Sequence, residues 1–530
     1  MSCADRRQVT AIIVKGKVVR LNVRAPKWVV AVTGVAVVVA LTAAGMAVAG
    51  SMGGGGSQPE DVLPANAMAF VKLDLNPAAG QKLAVYRLAP KFPKVKGKVT
   101  SEETSIKESG FGSVFTGNGK DDVTGLDYKK DVEPWLGDRI GVGVFPALPG
   151  SKDPQVGLAI AFTDHDKAKA ALDKAAALSA KDASTPSLKG YAFTEDGYVI
   201  VSDTTAHAAA IVAAGKAKPL AKSAYARDVE TLGGDQIGVA WADIAAVYKA
   251  VPKDKTPAAL NGLLQGPLKG VGDPTNISGR IVIGLHADPA FLEVTAKAIS
   301  LKGANTKGIS SPVKDPATGA AMIGSFPSEV SAAVTLTGLS QAVGALYTTF
   351  TRDGDPFQVK ATLAQMGISS AKEIETLLGS ETGVMVAGTL PDSPEFAVRT
   401  RGTDPDGALT IARRLLASSG ATGVTAGKIT GPDGIVVTMG TSPAVPGGAA
   451  DLSVSLLNKT GSTLGDTPAF KQVLPDSGNA SFAAFVNLPK VVPSATDNPA
   501  ATASLKPFNA LGVSVSGGTE PTVRIRVSVR

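Results

Sequence analysis

One phrase occurs twice in the chain, and this internal repeat constrains the fold more than any other feature. Residues 130–144 read KDVEPWLGDRIGVGV, and residues 372–386 read KEIETLLGSETGVMV. Further motifs keep the same order around them: LPANAMAFVKLD precedes the first phrase as FPSEVSAAVTLT precedes the second. Each half has the length of an ordinary domain. We therefore expect two tandem copies of one domain.

The repeated phrase is typical of a short helix that ends at a glycine and leads into a strand. Asp127 and Ser369 stand where an N-cap side chain accepts a free backbone N–H. Gly137 and Gly379 stand where a helix ends in a left-handed residue. Pro134 should kink or shorten the helix in the first half. The polar residues differ between the two phrases, so the pattern indicates structure and not a catalytic motif.

A second helix is predicted in each half, capped by Asp164 in the first and by Asp404 in the second. Its apolar residues follow the i, i+3, i+4, i+7 spacing of a helix that lies on a core. They are Ala168, Ala171, Leu172 and Ala175 in the first half and Ala408, Ile411, Ala412 and Leu415 in the second.

Strand signals surround these helices. Asp196-Gly197 and Asp433-Gly434 predict hairpin turns. In TVRIRVSVR, which begins at Thr522, apolar residues alternate with arginine and serine, as in a strand with two different faces. The predicted fold class is therefore α+β: an N-terminal transmembrane helix followed by two tandem, duplicated α+β domains with largely antiparallel sheets.

The basic excess of the chain is concentrated at its start. The sequence has 53 Lys and Arg against 46 Asp and Glu. Residues 1–27 hold seven of the basic residues and one acid, which leaves 46 basic and 45 acidic residues elsewhere. A nucleic-acid surface needs its positive charge on the folded part. We therefore expect no nucleic-acid partner.

A charge-free segment follows the basic leader. Residues 28–50, WVVAVTGVAVVVALTAAGMAVAG, are long enough to span a bilayer core. The basic residues before them predict a cytoplasmic N-terminus and an outside C-terminal bulk. Residues 47–49 resemble a signal-peptide cleavage site, but the apolar run exceeds a usual signal core. We expect an uncleaved single-pass anchor in the cell membrane, and cleavage is the alternative.

Six regions are expected. They are a basic cytoplasmic leader (1–27), a transmembrane helix (28–50), a Gly-rich linker (51–60), extracytoplasmic repeat domain 1 (61–300), a linker (301–320) and extracytoplasmic repeat domain 2 (321–530). The only cysteine, Cys3, lies in the leader. The outside part can therefore form no disulfide and must be stabilised by burial.

No sequence pattern points to catalysis. His165, His207 and His286 lack metal-ligand spacing, and the usual nucleophile, phosphate-loop and zinc motifs do not occur. Asp121 and Asp122, in GNGKDDVTGLD, offer oxygens to calcium, but their spacing does not match a calcium loop. We expect no catalytic, cofactor-binding or metal-binding residues, no cofactor and no enzymatic activity.

Two other features have competing interpretations. Trp135 and Trp241 lie among apolar residues, which favours core packing over stacking on a sugar or lipid. Residues 94–120 are an insertion of the first half, rich in Lys, Gly, Ser and Thr. A flexible insertion is the expected interpretation, and a loop that contacts an envelope partner is the alternative.

Several of these motifs together resemble a known family. The apolar segment, LPANAMAFVKLDLNP from Leu63, KFP from Lys91 and KDVEPWLGDRIGVGV from Lys130 are similar to the actinobacterial domain-of-unknown-function family 3352. The resemblance covers most of residues 28–530. It implies a single-pass, membrane-anchored envelope protein with a large outside region, and it implies no activity.

The leading expectation is a non-enzymatic cell-envelope protein that binds or scaffolds a partner at the cell surface. Its partners would be the membrane, through residues 28–50, and an envelope protein, lipid or glycan. The alternative is a carrier of lipid or another apolar ligand, with a continuous apolar cavity. A carboxylate-dependent hydrolase would show convergent acids in a cleft. A scaffold would show a broad patch or groove, for example where the halves meet.

Overall fold

The structure is a computed structural model. It describes residues 10–14, 17–21, 56–75, 126–148, 153–179, 190–250, 278–302, 320–352, 359–365, 367–389, 393–419, 424–429, 434–440, 461–495, 505–517 and 520–530. The strands are β1 (Thr10–Val14), β2 (Lys17–Leu21), β3 (Ala69–Asp74), β4 (Leu136–Phe145), β5 (Gln155–Phe162), β6 (Gly190–Phe193), β7 (Tyr198–Ser202), β8 (Gly238–Asp243), β9 (Ser278–Asp288), β10 (Phe291–Lys302), β11 (Ala332–Thr337), β12 (Glu381–Thr389), β13 (Ser393–Arg401), β14 (Val424–Lys428), β15 (Ile435–Gly440), β16 (Phe482–Asn487), β17 (Phe508–Ser516) and β18 (Thr522–Val529).

Helices lie between the strands. They are α1 (Pro59–Val62), α2 (His165–Ser179), α3 (Thr205–Ala217), α4 (Ala224–Glu230), α5 (Ile244–Ala250), α6 (Leu339–Arg352), α7 (Val359–Gln365), α8 (Ala371–Leu378), α9 (Pro405–Ser419), α10 (Pro468–Val473) and α11 (Leu488–Ala495). A π-helix spans Tyr128–Val132, and 3₁₀ turns span Leu220–Lys222, Ala320–Ser325, Leu464–Asp466 and Ser477–Asn479.

Strands β3 to β18 form one 16-stranded sheet, and β1 and β2 pair as a separate hairpin. All neighbours in the large sheet are antiparallel. The strands alternate in side-chain direction, so each contributes to both faces of the sheet. The fold is thus a mixed helix and strand fold built on a large antiparallel sheet.

The sheet has the same strand order on each side of its middle. From one edge the order is β6-β7-β5-β4-β3-β8-β9-β10, and from the other it is β14-β15-β13-β12-β11-β16-β17-β18. The sequence led us to expect one sheet per domain. Instead β10 and β18 pair, which joins the halves into one sheet. Strand β10 also extends through Lys302, into the predicted linker.

Charged residues reinforce the junction between β10 and β18. Glu293 lies opposite Arg526 in the strand register and forms an ion pair with it. Arg524 Nε lies 3.3 Å from Glu293 Oε2, and Arg524 also pairs with Asp476. The Arg526 guanidinium lies 4.3 Å from the centre of the Phe291 ring. Through this pairing, the backbone N–H and C=O groups at the edge of each half form hydrogen bonds with the other half.

One face of the sheet, called the closed face here, is covered in both halves. In the first half Phe70 and Trp241 pack there with residues of α1, α3 and α4. In the second half Phe485 and Ala333 pack there with the 3₁₀ turn Ala320–Ser325 and α10. Burial of these large apolar side chains is the main source of stability for a chain whose single cysteine allows no internal disulfide.

The opposite face, called the open face, is covered by helices over only part of its area. Ala168 and Ala171 of α2 pack on open-face residues of β4, β5 and β7. Helix α5 packs on Ala69 and Val144. In the second half Ala408 and Ala412 of α9 pack on Ile435, Ala426 and Val437 of β14 and β15. The predicted helical stripes are therefore confirmed as the buried sides of α2 and α9.

The capping predictions are confirmed in part. Asp127 Oδ1 accepts the Lys130 N–H at 3.0 Å, and Asp164 and Asp404 cap α2 and α9. The N-cap of α8 is Ser370, one residue after the predicted Ser369. Ser369 instead donates its backbone N–H to the Glu373 carboxylate at 2.6 Å.

The two glycines of the repeated phrase have different roles. Gly379 follows α8 with a φ of +63°, as predicted for a helix end. The prediction for Gly137 is wrong: it lies inside β4, where a Cβ atom would come within 2.7 Å of Ala161 Cβ. The helix before it stops at Val132, two residues ahead of Pro134, as the missing N–H of proline requires.

The remaining predictions divide between described and undescribed residues. The turn at Asp196-Gly197 joins β6 to β7, and Gly434, with a φ of +82°, directly precedes β15. Asp433, residues 28–50, residues 94–120 and the pair Asp121 and Asp122 lie outside the described residues. Among the described helices none is both long and apolar enough to cross a membrane.

Candidate binding surface

The middle of the open face carries three parallel rows of apolar side chains. The middle row is Val294, Ile525, Val513, Ala484, Val334, Val384 and Val398. The rows on either side are Ala296, Val523, Val515, Phe482 and Leu336, and Leu292, Val527, Leu511, Val486, Ala332, Val386 and Phe396. These residues, on β10 to β13 and β16 to β18, form the apolar floor.

The apolar floor is accessible to solvent. Val384 and Ile525 are 39% and 38% exposed, and Val398 and Val523 are each 36% exposed. Most of the other floor residues are partly exposed. The largest contiguous apolar patch of a monomeric soluble protein measures a few hundred Å² and is often functional. The floor is the broad apolar surface of this kind that the described residues form where the two halves meet.

Strand β18 shows why the floor faces outward. Its arginines point to the closed face, where Arg526 pairs with Glu293 and donates to the Gln472 carbonyl oxygen at 3.3 Å. Because neighbouring residues of a strand point to opposite faces, Val523 and Ile525 must then lie on the open face. Arg524 and Arg526 are thus partly buried, whereas Val523 and Ile525 are exposed.

A second candidate site is a polar cluster on the closed face under α1. Lys72 Nζ lies 2.5 Å from Glu60 Oε1, and Tyr225 donates its hydroxyl to the same oxygen at 3.3 Å. The Tyr198 hydroxyl donates to the Ser57 carbonyl oxygen at 2.8 Å. These bonds hold residues 56–62 against the sheet. The cluster therefore fixes the place where the chain enters the folded part.

Burial is the main influence on the pKa of the two tyrosines in this cluster. Loss of water raises the pKa of Tyr198 and of Tyr225 above the usual value for a phenol, and the nearby Glu60 carboxylate raises both further. A phenol with a raised pKa stays protonated and donates hydrogen bonds at neutral pH. This direction suits a structural clasp and not a general base, which needs a pKa near the working pH.

The second half has a comparable clasp with different residues. The backbone N–H of Met322 donates to Glu381 Oε1 at 3.0 Å, and Arg401 pairs with the other carboxylate oxygen at 3.1 Å. Arg399 Nη1 donates to the Ser325 hydroxyl at 2.8 Å. The 3₁₀ turn Ala320–Ser325 is thereby fixed to the sheet as residues 56–62 are in the first half.

The three histidines lie on different elements. His165 Nδ1 lies 3.0 Å from the neighbouring Asp166 carboxylate, and His207 Nδ1 lies 2.5 Å from Asp203. His286 on β9 contacts the carbonyl oxygen of Asp235. No group of three metal-ligating side chains occurs in the parts of the chain that the structure describes. These contacts suit solvated or locally bonded histidines, and the structure does not bring them together.

Both tryptophans that could have stacked on a ligand belong to the core, as predicted. Trp135 is buried and donates its indole N–H to the Asp131 carbonyl oxygen at 2.6 Å. Trp241 is buried and donates to Asp228 Oδ2 at 2.8 Å. Sequence reasoning missed the apolar floor itself. The alternation in TVRIRVSVR was the available signal, but it does not say which face of the strand is covered.

Comparisons with known proteins give a family and no function. A model of the DUF3352 family, described as a protein of unknown function, matches residues 29–376. No curated protein matches the chain. A solved structure of TP0453, in its crystal form III, aligns with 11% identity and a TM-score of 0.22, over 39% of this chain and 92% of that one. A similarity this weak carries no argument about fold or function.

Proposed function

Because the chain belongs to the DUF3352 family, whose function is unknown, we propose its role from its surface: a non-enzymatic cell-envelope protein that binds a partner on the apolar floor. The observation that carries the proposal is the continuous row from Val294 to Val398, exposed at the junction of the halves. Burying such a surface against a partner gains about 25 cal/mol per Å². The floor thus suits a binding role.

The proposal includes an anchor. Residues 28–50 span the membrane of an actinobacterial envelope, residues 1–27 lie in the cytoplasm, and the sheet lies outside. The charge-free length of the segment and the basic residues before it support this arrangement. The polar cluster under α1 supports it too, because the bonds from Tyr198 and Arg139 fix Ser57, seven residues after the expected span, against the sheet.

The proposal also includes duplication of an ancestral domain. The shared strand order of the halves supports it. Helices α2 and α9 support it too: each has 15 residues, and each follows the third strand of its half of the large sheet. The bridges Pro64–Pro219 and Pro327–Thr463 add a further correspondence. Duplication accounts for a floor to which both halves contribute.

A photo-reactive amino acid at position 525 of the full chain tests the binding role in cells that produce the protein. We expect irradiation to give covalent adducts with a protein, lipid or glycan, because Ile525 is exposed in the middle row of the floor. The same amino acid at Leu178, on α2 and 36% exposed, is the matched control. Equal or absent adducts at the two positions would contradict the proposal.

A further inference from the structure

The chemistry of the apolar floor restricts what it can hold. Its three rows contain aliphatic and phenylalanine side chains, and the backbone groups of its strands are used in the sheet. A glycan or a typical protein partner needs polar contacts, and a protein interface carries roughly one hydrogen bond per 100–200 Å². The floor offers contact to apolar groups only, which suits a hydrocarbon.

The size of the floor argues against a second copy of the chain. The floor crosses seven strands from β10 to β13, about 29 Å at a spacing of ~4.8 Å, and three rows extend about 13 Å along each strand. This is roughly 380 Å², whereas a stable interface buries about 800 Å² on each partner. An acyl chain in one bilayer leaflet spans about 15 Å and fits within the floor.

The depth of the floor argues against a flat bilayer. Helices α2 and α5 lie on the open face at one side of the floor, and α8 and α9 lie there at the other. A helix with its side chains is about 10 Å in diameter, so the floor is recessed by about that distance. A planar surface meets the helices first, whereas a single flexible chain reaches the floor.

We infer that the apolar floor binds the acyl chains of individual lipid molecules, with the chain lying across β18 and its neighbours. The inference rests on the proposed function and names its ligand class. Val523 and Ile525 on β18 are contacts beside the junction of the halves. Val294 extends the surface onto β10, and Val334 and Val384 extend it toward the other end of the floor.

The test uses the full chain in lipid nanodiscs and a palmitic acid analogue with a photo-reactive group near its methyl end. After irradiation, peptide mass spectrometry locates the attachment. We expect adducts on β18, β17 and β11, displaced by unlabelled palmitic acid. Ile525→Asp should lower this labelling at least tenfold, because a carboxylate in the middle row is incompatible with a dry hydrocarbon.

The controls separate binding from folding. Val384→Asp, in the other part of the floor, should also lower the labelling, and both variants should keep the wild-type unfolding temperature because both side chains are exposed. Leu178 has a similar exposure, on a helix that packs on β4, β5 and β7, and Leu178→Asp should label as wild type does.

Three results would overturn the inference. One is labelling confined to residues 28–50. Another is labelling of the floor that palmitic acid does not displace. The third is a wild-type dimer that Ile525→Asp converts to monomer, which would make a second copy the occupant. If position 525 forms protein adducts in cells while the lipid analogue never labels the floor, the proposed function stands and the acyl ligand is wrong.

Discussion

At the scale of single residues, glycine in the repeated phrase serves two physical needs. Gly379 has a φ of +63° and a ψ of −160°, a backbone region that is nearly restricted to glycine. Gly137 has ordinary strand geometry, but the Ala161 backbone passes within 2.8 Å of where its Cβ would lie. The same residue type is needed in one half for its conformation and in the other half for its size.

Gly379→Ala should destabilise the protein by about 1–3 kcal/mol. Alanine is strained in this backbone conformation, and its Cβ would come within 2.1 Å of the Arg401 carbonyl oxygen. Thermal unfolding of the purified chain measures this. The matched control is Gly478→Ala, where a Cβ atom meets no atom within 4 Å. Equal unfolding temperatures for the two variants would show that the strain at Gly379 is not real.

Asp228 is a buried acid that two elements share. Its carboxylate accepts the Trp241 indole N–H at 2.8 Å and the Arg280 Nη2 N–H at 3.0 Å. Asp228→Ala should cost about 3 kcal/mol of folding free energy, since it leaves a partly buried guanidinium and an indole without their acceptor. Urea unfolding gives the value. Asp166→Ala, at a carboxylate that is almost fully exposed, should change it little.

At the scale of elements, the helix of the repeated phrase differs between the halves. The first half has a one-turn π-helix, and the Asp131 carbonyl oxygen of this helix accepts the Trp135 indole N–H. The second half has α8, which packs on α6 and α9. An ion pair at the protein surface also joins α8 to α9. Arg414 Nη2 lies 2.5 Å from Glu373 Oε1, and the other oxygen of Glu373 accepts the Ser369 N–H.

This link makes a pH-dependent contribution to stability. The backbone hydrogen bond from Ser369, and then the Arg414 guanidinium, lower the pKa of Glu373 to about 2. A carboxyl with a lowered pKa stabilises the fold above its unfolded pKa of about 4.3, and this stabilisation is lost as the pH falls toward 2.

Glu373→Gln should therefore be less stable than wild type at pH 6 by roughly 1 kcal/mol, a value reduced for solvent screening of a partly exposed pair. The difference should shrink as the pH falls from 5 to 2. Chemical unfolding at a series of pH values checks this. A difference that stays constant over that range would mean that the Glu373 charge does not stabilise the α8–α9 contact.

At the scale of the whole molecule, the β10–β18 pairing decides that the halves form one sheet. Seven residue pairs are in register across it, and Glu293 bonds to arginines of the other half. A sheet edge left unpaired invites association with other chains. The junction thus covers two edges and builds the apolar floor in one step.

We expect the described sheet to unfold in a single calorimetric transition, and Glu293→Ala to broaden or split it. The substitution leaves Arg524 and Arg526 without their shared acceptor, and their side chains are only 27% and 17% exposed. Glu520→Ala, at an exposed position just before β18, should leave the transition unchanged. Two resolved transitions in the wild-type protein would show that the halves fold independently.

Much of the architecture was predictable because it depends on local patterns. The stripe from Ala168 to Ala175 fixed α2, Asp164 its start, and Asp196-Gly197 the turn into β7, since each follows from contacts within a few residues. The role of Gly137 was not predictable, because it depends on Ala161, which is distant in sequence. The shift of the α8 cap to Ser370 was a choice between two adjacent serines that only the packing of Glu373 resolved.

The sequence by itself determined the periodicities: the repeat, the helical stripes, the alternation of β18 and the absence of a motif for catalysis. The tertiary structure alone decided which side of each period is covered. In β18 the arginines, and not the valines, lie on the covered face, because Glu293 and the Gln472 carbonyl oxygen are there to pair with them. A strand pattern defines two faces and leaves their environments open, since those come from residues far away in the chain.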